Sequence, residues 1–421
     1  MRSTLPAFNE VWQRQLRSSF LKQHSQFAEN TQFLIGCSGG MDSMLLLHVM
    51  AQLFPLQIRA IYVNHQLQKV SDEWAEFVAQ QCLILNIPYI IQNVQVAEGN
   101  LENQAREARY QAYQQHLAQN EVLVLAHHQQ DQAETLMLRL LSGAGVTGLS
   151  AMQAVDYRHQ LTIWRPLLDT SREQICQWGE QLPIAYVDDP TNLDTHYDRA
   201  WCRHELWHIL QSRYPKMQQS LARTSYLMQD ANEILKDVLL QDLAFCGNSD
   251  QLNLEKLQQL SSARQRQLLS AWMKGEGQYR PALDMVNRIT DEVIHSKVDS
   301  QAALQWNQFY YLRYQNHLYR IAKAEYLASK QTVPPQTQKI HFKLQQSISV
   351  DSGCFGVEMA EVGLSLALLN CELTLTSRLG GEKIHLYGRV GAWPLKKAIQ
   401  EAQIFPWMRH TIQILSVDNV M

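Results

Sequence analysis

The sequence lacks three features that would place the protein in a membrane or outside the cell. No apolar run approaches the ~20 residues that a membrane-spanning helix needs. The N-terminus, MRSTLPAFNEVWQRQL, has no apolar segment after its first arginine, so it does not resemble a secretory signal. The seven cysteines are odd in number, and no two of them form a CxxC pair. We therefore expect free thiols in a cytoplasmic protein, and neither a disulfide framework nor a zinc cluster.

The composition also lacks the bias of a disordered, fibrous or strongly basic chain. Of the 421 residues, 46% are hydrophobic and 18% are charged, which is typical of globular domains. The length predicts about two to four domains, each large enough to bury a core. The 37 basic and 40 acidic residues give a formal charge of −3. This total lacks the basic excess of many nucleic-acid-binding chains, but binding depends on where charges cluster.

Apolar runs alternate with helical patterns over residues 1–130. The runs QFLIGCS, IRAIYVNH, IPYIIQNVQV and VLVLAHH have strand character, and helical patterns such as MLLLHVMAQLF separate them. This rhythm predicts an α/β fold with a Rossmann-like parallel sheet and right-handed crossovers. Ligands bind at the carboxyl ends of the strands in such sheets, so we expect SGGMDS, VNH and AHH at one edge.

Turn and linker signals divide the rest of the chain. The strongest are DDPTN, YP and KQTVPPQTQ. Between residue 217 and about residue 321 the pattern is helical, and FYYLRYQNHLYRI then alternates like a strand. In the C-terminal part, CELTLTSRLGGEKIHLYG is typical of two strands joined at Gly380-Gly381, WPLKKAIQEAQI of a short helix and HTIQILSV of a last strand. We therefore expect an α/β domain at 1–215, an all-α or mainly helical domain at 216–345 and a small α+β domain at 346–421.

The segment Ser38-Gly39-Gly40-Met41-Asp42-Ser43 lies between an apolar strand and a helix. Paired glycines allow a tight turn whose N–H groups converge on an anion at the positive end of the helix. Asp42 suits a phosphate site only through a Mg²⁺ ion, and the absence of GK[ST] excludes a Walker A loop. On these residues alone, a Gly-Gly turn with a Ser/Asp helix cap stays an equal alternative.

The SGGxDS motif after a first strand resembles the pyrophosphate loop of the N-type ATP pyrophosphatases, which cleave ATP between the α- and β-phosphates. Further segments are similar to those of one member group, the tRNA(Ile)-lysidine synthase family, and they span nearly the whole chain. These segments are VNHQLQ, Ala105-Arg106, Arg109-Tyr110, AHHQQDQAET, SGAGVTGLSAM, Arg165-Pro166-Leu167, DPTN, Arg199, Arg203, RLGGEKI and LKKAIQEAQIFPWMR. The helical middle is the least diagnostic part.

Three positions depart from the family pattern. Gln130 replaces the first aspartate of an Asp-Asp pair, Ala200 replaces an asparagine, and Gln68 stands where arginine is usual. Asp131 and Glu134 are retained, three residues apart on an expected helix and therefore on one face. We interpret this retained pair as the essential one and Gln130 as part of the glutamine-rich drift of the chain.

The resemblance implies a ligase that converts the wobble cytidine of the isoleucine tRNA with anticodon CAU into lysidine. ATP would adenylate the C2 carbonyl oxygen of the base with release of pyrophosphate, and the ε-amino group of free L-lysine would then displace AMP. The implied cofactors are ATP and Mg²⁺, and the implied partners are this tRNA and L-lysine. No membrane partner or disulfide-linked partner is implied, and a homodimer stays open.

The resemblance also implies roles for residues of the α/β domain. Ser38, Gly39, Gly40, Met41, Asp42 and Ser43 would bind the nucleotide, with Mg²⁺ on Asp42. Arg106, Arg109, Arg199 and Arg203 are candidates for stabilising the α-phosphate transition state or binding substrate; solvated helix arginines are the alternative for the first two. Asp131 and Glu134 would hold the ammonium groups of lysine, and one would remove a proton; an acidic first helical turn is the alternative. His128 is expected to contact this site, and the glycine-rich stretch 142–149 either approaches the cytidine or is an ordinary loop.

The C-terminal tail has the opposite charge to the whole chain. Between Thr374 and Met421, six basic and three acidic residues give +3. Arg378, Lys396, Lys397 and Arg409 in this tail are candidates for tRNA phosphate contacts, with Tyr387, Trp393 and Trp407 interleaved. A small domain with a solvated basic face is the alternative.

Two rival functions are open to test. A tRNA thiolase of the same superfamily would need a sulfur-carrying cysteine pair or iron–sulfur ligands, and the scattered cysteines provide no CxxC. A non-catalytic nucleotide-binding protein, in which Gln130 marks a decayed site, is the rival from a different class. Production of AMP and pyrophosphate that depends on cognate tRNA would exclude it.

Overall fold

The computed structural model describes residues 7–68, 70–97, 101–158, 160–182, 184–277, 280–297, 302–331, 337–341, 343, 347–350, 353–360, 363, 365–385 and 389–417. The chain divides into two compact units, Met1–Lys236 and Asp237–Met421. The boundary predicted at residues 345 and 346 lies outside the described residues, and the three-domain division stays a prediction. In the described part of the chain, no helix is both long and apolar enough to cross a membrane.

The first unit is built on a six-stranded sheet, which confirms the predicted α/β fold. The strands are β1 (Gln32–Gly36), β2 (Ile58–Asn64), β3 (Tyr89–Asn93), β4 (Glu121–Val124), β5 (Val155–Arg158) and β6 (Leu161–Trp164). Their order in the sheet is β3-β2-β1-β4-β6-β5. All neighbouring pairs are parallel except β5 with β6, so β5 is an antiparallel edge strand.

Helices pack on both faces of this sheet. The helices up to the unit boundary are α1 (Val11–His24), α2 (Met41–Leu53), α3 (Ser71–Ile84), α4 (Leu101–His116), α5 (Gln129–Leu141), α6 (Val146–Leu149), α7 (Arg172–Gln181), α8 (Asp198–Trp201) and α9 (Trp207–Arg213), and α10 (Met217–Cys246) crosses that boundary. Helices α1, α2, α3 and α7 lie in the apolar cluster on one face, and α4 lies in the cluster on the other. A 3₁₀ turn, Pro190–Leu193, precedes α8, and a π-helical turn, Cys202–Leu206, joins α8 to α9. Helix α2 is buried at almost every position, which explains why MLLLHVMAQLF is apolar on all sides.

The parallel strands bring three polar segments to one edge. β1 pairs with β2 on one side and with β4 on the other. Ser38, His65 and His128 lie in the segments that follow these three strands. Because neighbouring parallel strands end at the same edge of a sheet, these segments meet there. The expectation that SGGMDS, VNH and AHH lie at one edge of the sheet is therefore confirmed.

The second unit begins with helices and a four-stranded antiparallel sheet. Its helices are α11 (Leu254–Gln259), α12 (Ser262–Lys274), α13 (Leu283–Arg288) with a π-helical turn (Ile289–Ile294), and α14 (Lys323–Lys330). Its strands are β7 (Gln251–Asn253), β8 (Ala303–Trp306), β9 (Phe309–Tyr314) and β10 (His317–Ala322), in the order β7-β10-β9-β8. The middle region is thus mainly helical. The alternating segment FYYLRYQNHLYRI forms the β9–β10 hairpin. Strands β7 and β8, which the sequence pattern did not predict, extend this hairpin to a four-stranded sheet.

The C-terminal part of this unit contains short strands and one helix. They are β11 (Thr337–Ile340), β12 (Ser347–Val350), β13 (Gly353–Gly356), a 3₁₀ turn (Leu366–Asn370), β14 (Leu373–Ser377), β15 (Lys383–Ile384), β16 (Trp393–Pro394), α15 (Leu395–Glu401), a 3₁₀ turn (Arg409–Thr411) and β17 (Gln413–Ser416). The predicted short helix and last strand are confirmed as α15 and β17. The strands on either side of Gly380-Gly381 do not pair with each other: β14 pairs with β11 and β17, and β15 pairs with β16.

Candidate active site

The loop between β1 and α2 has a conformation that requires glycine at one position. Gly39 has a φ of +86°, and a Cβ atom there would lie 2.8 Å from Cγ2 of Val187. The N–H of Val187 also donates to the carbonyl of Gly39 over 3.0 Å. The loop is therefore held in a left-handed turn by the segment that precedes Asp189.

Hydrogen bonds of Ser43 stabilise the loop, and the N-terminus of α2 has no side-chain cap. Ser43 is buried, and its Oγ donates to the carbonyl of Gly40 at 2.9 Å and accepts from the N–H of Ser38 at 3.2 Å. Helix α2 begins after Gly40 without a side-chain cap. The N–H groups of its first turn are therefore available to an anion at the positive end of the helix.

Asp42, in the first turn of α2, has one carboxylate oxygen paired and one unpaired. Its Oδ2 lies 3.7 Å from Nε2 of His128, whereas no donor among the described residues reaches its buried Oδ1. Burial raises the pKa of Asp42, but His128 and then Arg172 and Arg203 outweigh it, so the pKa lies below its ordinary value. Asp42 is therefore ionised, and an unpaired carboxylate oxygen suits the expected Mg²⁺.

The number of metal-ligating side chains near Asp42 determines which kind of metal site is possible. Over the ranges that the structure describes, no group of three His, Cys, Asp or Glu side chains could hold a metal ion. Mg²⁺ is commonly bound through one or two carboxylates together with substrate phosphates. The site therefore fits Mg²⁺ as an ion shared between Asp42 and a bound phosphate, and it does not fit a metal cage made by the protein alone.

His128, the residue before α5, connects this loop to the next helix. Its Nδ1 accepts from the N–H of Gln130 at 3.2 Å, so the ring proton is on Nε2, which faces Asp42 at 3.7 Å and Asp131 at 3.6 Å. Burial lowers the pKa of His128, but the two carboxylates outweigh it and raise the pKa above its ordinary value. Protonation of Nδ1 would break the bond from Gln130, so the charge of His128 is coupled to the first turn of α5.

Asp131 and Glu134 lie on one face of α5, as their spacing predicts, but their surroundings differ. Glu134 is 0% exposed, and Arg203 donates to both of its oxygens, from Nε at 2.9 Å and from Nη2 at 3.0 Å. The side chain of Asp131 is 15% exposed, its Oδ2 accepts from the N–H of His128 at 3.0 Å, and its Oδ1 lies 3.9 Å from Nη2 of Arg203. Asp131 is thus the carboxylate that a ligand can reach. Both oxygens of Glu134 already accept hydrogen bonds from Arg203, which disfavours the prediction that Glu134 binds a lysine ammonium group directly.

The protonation of this pair follows from burial and from the nearby cations. Burial raises the pKa of Asp131, but His128, His127 and Arg199 outweigh it and lower the pKa. For Glu134 the balance is reversed: burial and the charge of Asp131 raise its pKa above the ordinary value against the opposing effect of Arg203. Asp131 is therefore the more acidic of the two groups, and Arg203 favours the charged form of Glu134.

The three departures from the family pattern have different structural outcomes. Gln130 is buried, and its Nε2 donates to Oε1 of Glu134 at 3.0 Å. Gln68 donates from Nε2 to Oδ1 of Asp189 at 3.0 Å and so joins the segment after β2 to the DPTN turn. Nothing in the structure explains alanine at position 200.

The four predicted arginines contact four different residues. Arg203 pairs with Glu134, and Arg199 donates to Oγ1 of Thr135, one position further along α5, at 3.5 Å. Arg109 donates from Nε to Nε2 of His65 at 3.3 Å. The guanidinium of Arg106 lies 5.2 Å from the ring centre of Tyr110. Burial lowers the pKa of Arg106, and the neighbouring charges of Arg199, Arg158 and Arg109 lower it further.

The glycine-rich stretch 142–152 is held by hydrogen bonds from neighbouring helices. Arg139 donates from Nη1 to the carbonyls of Gly148 at 2.8 Å and Ala151 at 3.0 Å. Thr147 donates from Oγ1 to Oδ1 of Asn232 on α10 at 2.7 Å. The stretch is therefore a fixed element beside α5, and its expected contact with a cytidine stays a prediction.

The predicted tRNA contacts of the tail lie in the second unit. Lys396 and Lys397 are exposed on α15, whereas Arg378 and Arg409 are partly buried, and Arg409 donates from Nε to the carbonyl of Ile404 at 3.0 Å. Trp407 is part of a buried cluster with Leu312, Ile321 and Tyr326, so it is not a free stacking platform. The guanidinium of Arg389 lies 4.6 Å and the ammonium group of Lys397 lies 5.5 Å from the ring centre of Trp393. Tyr387 lies outside the described residues.

The structure thus brings Asp42, His128, Asp131, Glu134 and Arg203 together at the edge of the first sheet. Arg172 was not predicted as a site residue, although its charge acts on both Asp42 and His128 from the first turn of α7. A signal for it was present, because Ser171 and Gln174 form a capping box that places Arg172 at a helix start. Arg139 was also missed, and only the positions of Gly148 and Ala151 reveal its role.

Comparison with known proteins matches three family models to the chain. Residues 9–210 match the PP-loop domain, residues 252–319 the TilS substrate binding domain and residues 373–421 the TilS substrate C-terminal domain. The chain is 58% identical over 421 residues to a tRNA(Ile)-lysidine synthase of Acinetobacter baylyi, which covers 100% of this chain and 92% of the relative. A protein of the same name from Actinobacillus pleuropneumoniae serotype 3 is 35% identical over 396 residues, 91% of this chain and 93% of the relative. Another, from Serratia proteamaculans, is 31% identical over 402 residues, 94% of this chain and 90% of the relative.

Proposed function

Because the chain belongs to the tRNA(Ile)-lysidine synthase family and is an ATP-dependent ligase that modifies tRNA, we propose that it joins free L-lysine to the wobble cytidine of the isoleucine tRNA with anticodon CAU. The C2 carbonyl oxygen of the base attacks the α-phosphate of ATP, and pyrophosphate leaves. The lysine amine then attacks C2, and AMP leaves with the oxygen atom. One lysidine, one AMP and one pyrophosphate are formed for each ATP consumed.

The unpaired Oδ1 atom of Asp42, beside the open N-terminus of α2, is the observation that carries the proposal. The loop would bind the phosphates through N–H groups of α2, with Ser38 as a hydroxyl donor, while Ser43 would hold the loop through its bond to the carbonyl of Gly40. Mg²⁺ bound to Asp42 and the phosphates would neutralise the charge that develops on the leaving pyrophosphate. His128 would keep Asp42 in place through Nε2, 3.7 Å from Oδ2.

We assign the contact with the lysine substrate to Asp131. Its carboxylate is ionised and partly exposed, whereas both oxygens of Glu134 accept hydrogen bonds from Arg203. An ammonium group with a pKa near ~10.4 must lose a proton before it can attack, so its electrostatic environment sets the reactive fraction. Glu134 and Arg203 would act by fixing the helix face from which Asp131 projects.

The arginines of this edge would complete the site. Arg106, Arg109 and Arg199 are proposed to face the α-phosphate or the tRNA backbone, where positive charge stabilises the transition state. Exposed Lys396 and Lys397, with Arg378 and Arg409, are proposed to contact tRNA phosphates from the second unit. All seven cysteines lie in the described part of the chain and are free thiols, which supports the proposed cytoplasmic location.

Nucleotide release tests this proposal. Purified protein is incubated with ATP, Mg²⁺, L-lysine and a transcript of the isoleucine tRNA, and AMP and pyrophosphate are measured. We expect both products in equal amounts, and we expect neither when the tRNA is omitted. AMP formation without tRNA, or no AMP formation with it, would contradict the proposed reaction. Light scattering of the same purified protein tests separately whether it is a homodimer.

A further inference from the structure

Gln130 occupies a position from which one residue contacts both halves of the candidate site. Its backbone N–H donates to Nδ1 of His128 at 3.2 Å, and its side-chain Nε2 donates to Oε1 of Glu134 at 3.0 Å. An ionised carboxylate offers only acceptors, so the contacting amide atom must be the nitrogen. Because Gln130 is only 7% exposed, water cannot readily replace either bond.

The Oε1 atom of Glu134 is shared between two donors from different elements. Gln130 approaches it from the same helix at 3.0 Å, and Nε of Arg203 approaches it from the π-helical turn at 2.9 Å. The two donors together fix the rotation of the carboxylate, and the carboxylate in turn fixes the guanidinium plane of Arg203. The amide adds a donor without adding charge, which matters in a pocket that already contains the carboxylate of Asp131.

We propose that Gln130 is a positioning residue for the ligase reaction: its amide holds the Glu134–Arg203 pair in one orientation and keeps Glu134 an acceptor. This inference rests on the proposed function, because the orientation matters only if Asp131 and Arg203 face the substrates. The family pattern has aspartate at this position. An aspartate is one methylene shorter and would add a carboxylate beside Glu134, whereas the glutamine supplies a donor and no charge.

The effect of a carboxylate at position 130 depends on pH. The charged and titratable groups that act on Glu134 or respond to it are Asp131 on the same helix, and Arg199, Arg203 and Cys202 on α8 and the π-helical turn. His128 faces the substituted position as well, because its Nδ1 accepts from the N–H of residue 130. In Gln130→Glu, two buried carboxylates share a proton, so one of them has a raised pKa. Below that pKa the shared proton replaces the amide donor, and above it the two anions repel each other and Arg203 loses its orientation.

Two variants of Gln130 and a matched control test the inference. Gln130→Glu changes charge at constant size, and Gln130→Met removes the donor without adding charge. Gln129→Glu, one residue earlier on the same helix turn, adds the same charge where the described structure shows no side-chain bond to Glu134. Rates of lysine incorporation into tRNA are measured between about pH 6 and pH 9 and divided by the wild-type rate at each pH, which cancels the titration of lysine itself.

We expect the relative rate of Gln130→Glu to fall at least about tenfold as the pH rises, because a hydrogen bond to a charged group is lost. Gln130→Met should be slower by about tenfold at every pH, and Gln129→Glu should keep a flat relative rate. Far-ultraviolet circular dichroism at each pH verifies that the variants are folded. A flat relative rate for Gln130→Glu, or a wild-type rate for Gln130→Met, would overturn the inference. If the wild type incorporates no lysine, the proposed function fails instead, so the two failures are distinguishable.

Discussion

Removal of the cation that pairs with a fully buried carboxylate should be among the most destabilising single changes in the first unit. In Arg203→Met, Glu134 stays 0% exposed and keeps only the hydrogen bond from Gln130. Breaking a buried ion pair from one side costs about 3–5 kcal/mol. Because the Arg203 side chain is 21% exposed, solvent screens part of the interaction. We therefore expect a loss of about 3 kcal/mol in the free energy of unfolding near pH 8.

This loss should shrink as the pH falls. Burial and Asp131 already raise the pKa of Glu134, and without Arg203 only the weaker effect of Arg199 opposes them. A carboxyl group with a raised folded pKa stabilises the fold below its unfolded pKa, and that stability is lost as the pH rises through the folded pKa. The variant should therefore approach the wild type near pH 5 and fall furthest below it at pH 8.

Urea unfolding of Arg203→Met and wild type at pH 5 and pH 8 measures both quantities. The double variant Glu134→Gln/Arg203→Met, which leaves no charge in the pair, should recover much of the loss at pH 8. A loss under about 1 kcal/mol at pH 8, or an equal loss at the two pH values, would refute the assignment of this pair as a buried charge interaction.

Three further changes test other parts of the site. Asp42→Ala should abolish AMP formation and lower the free energy of unfolding by no more than about 1 kcal/mol, because Oδ1 makes no hydrogen bond to the fold and Oδ2 makes only a long contact of 3.7 Å with Nε2 of His128; an active Asp42→Ala enzyme would remove Asp42 from the reaction. Gly39→Ala should raise the KM for ATP and lower stability by about 1 kcal/mol or more, since an alanine there has a φ of +86° and contacts Val187, and unchanged kinetics would exclude a rigid loop. Lys396→Gln/Lys397→Gln should weaken tRNA binding and reduce the slope of log K against log salt by about 1 to 2, whereas an unchanged slope would remove these lysines from the RNA surface.

Local patterns in the sequence were sufficient to predict the framework of the catalytic unit. Alternating apolar runs predicted the parallel sheet, and the spacing of Asp131 and Glu134 placed both on one face of α5. Both inferences use interactions within a few residues or the general geometry of parallel sheets.

Contacts between distant segments were not predictable in this way. Arg203 is 69 positions from Glu134 in the sequence, and neither residue type indicates that the two would form a bidentate pair. Gln130 resembled compositional drift until its amide was found against Glu134. Trp407 resembled an RNA-stacking aromatic by composition, but packing against Leu312 and Tyr326 buries it. In each case the role of the residue depends on the side chains that it contacts, and only the folded structure shows which side chains these are.

Incorporation of labelled lysine tests the central claim most directly. The protein is incubated with ATP, Mg²⁺, radiolabelled L-lysine and either the isoleucine tRNA with anticodon CAU or the methionine tRNA with the same anticodon. We expect label in the isoleucine tRNA, none in the methionine tRNA and none with Asp42→Ala. An unlabelled isoleucine tRNA in the presence of active, folded protein would contradict it.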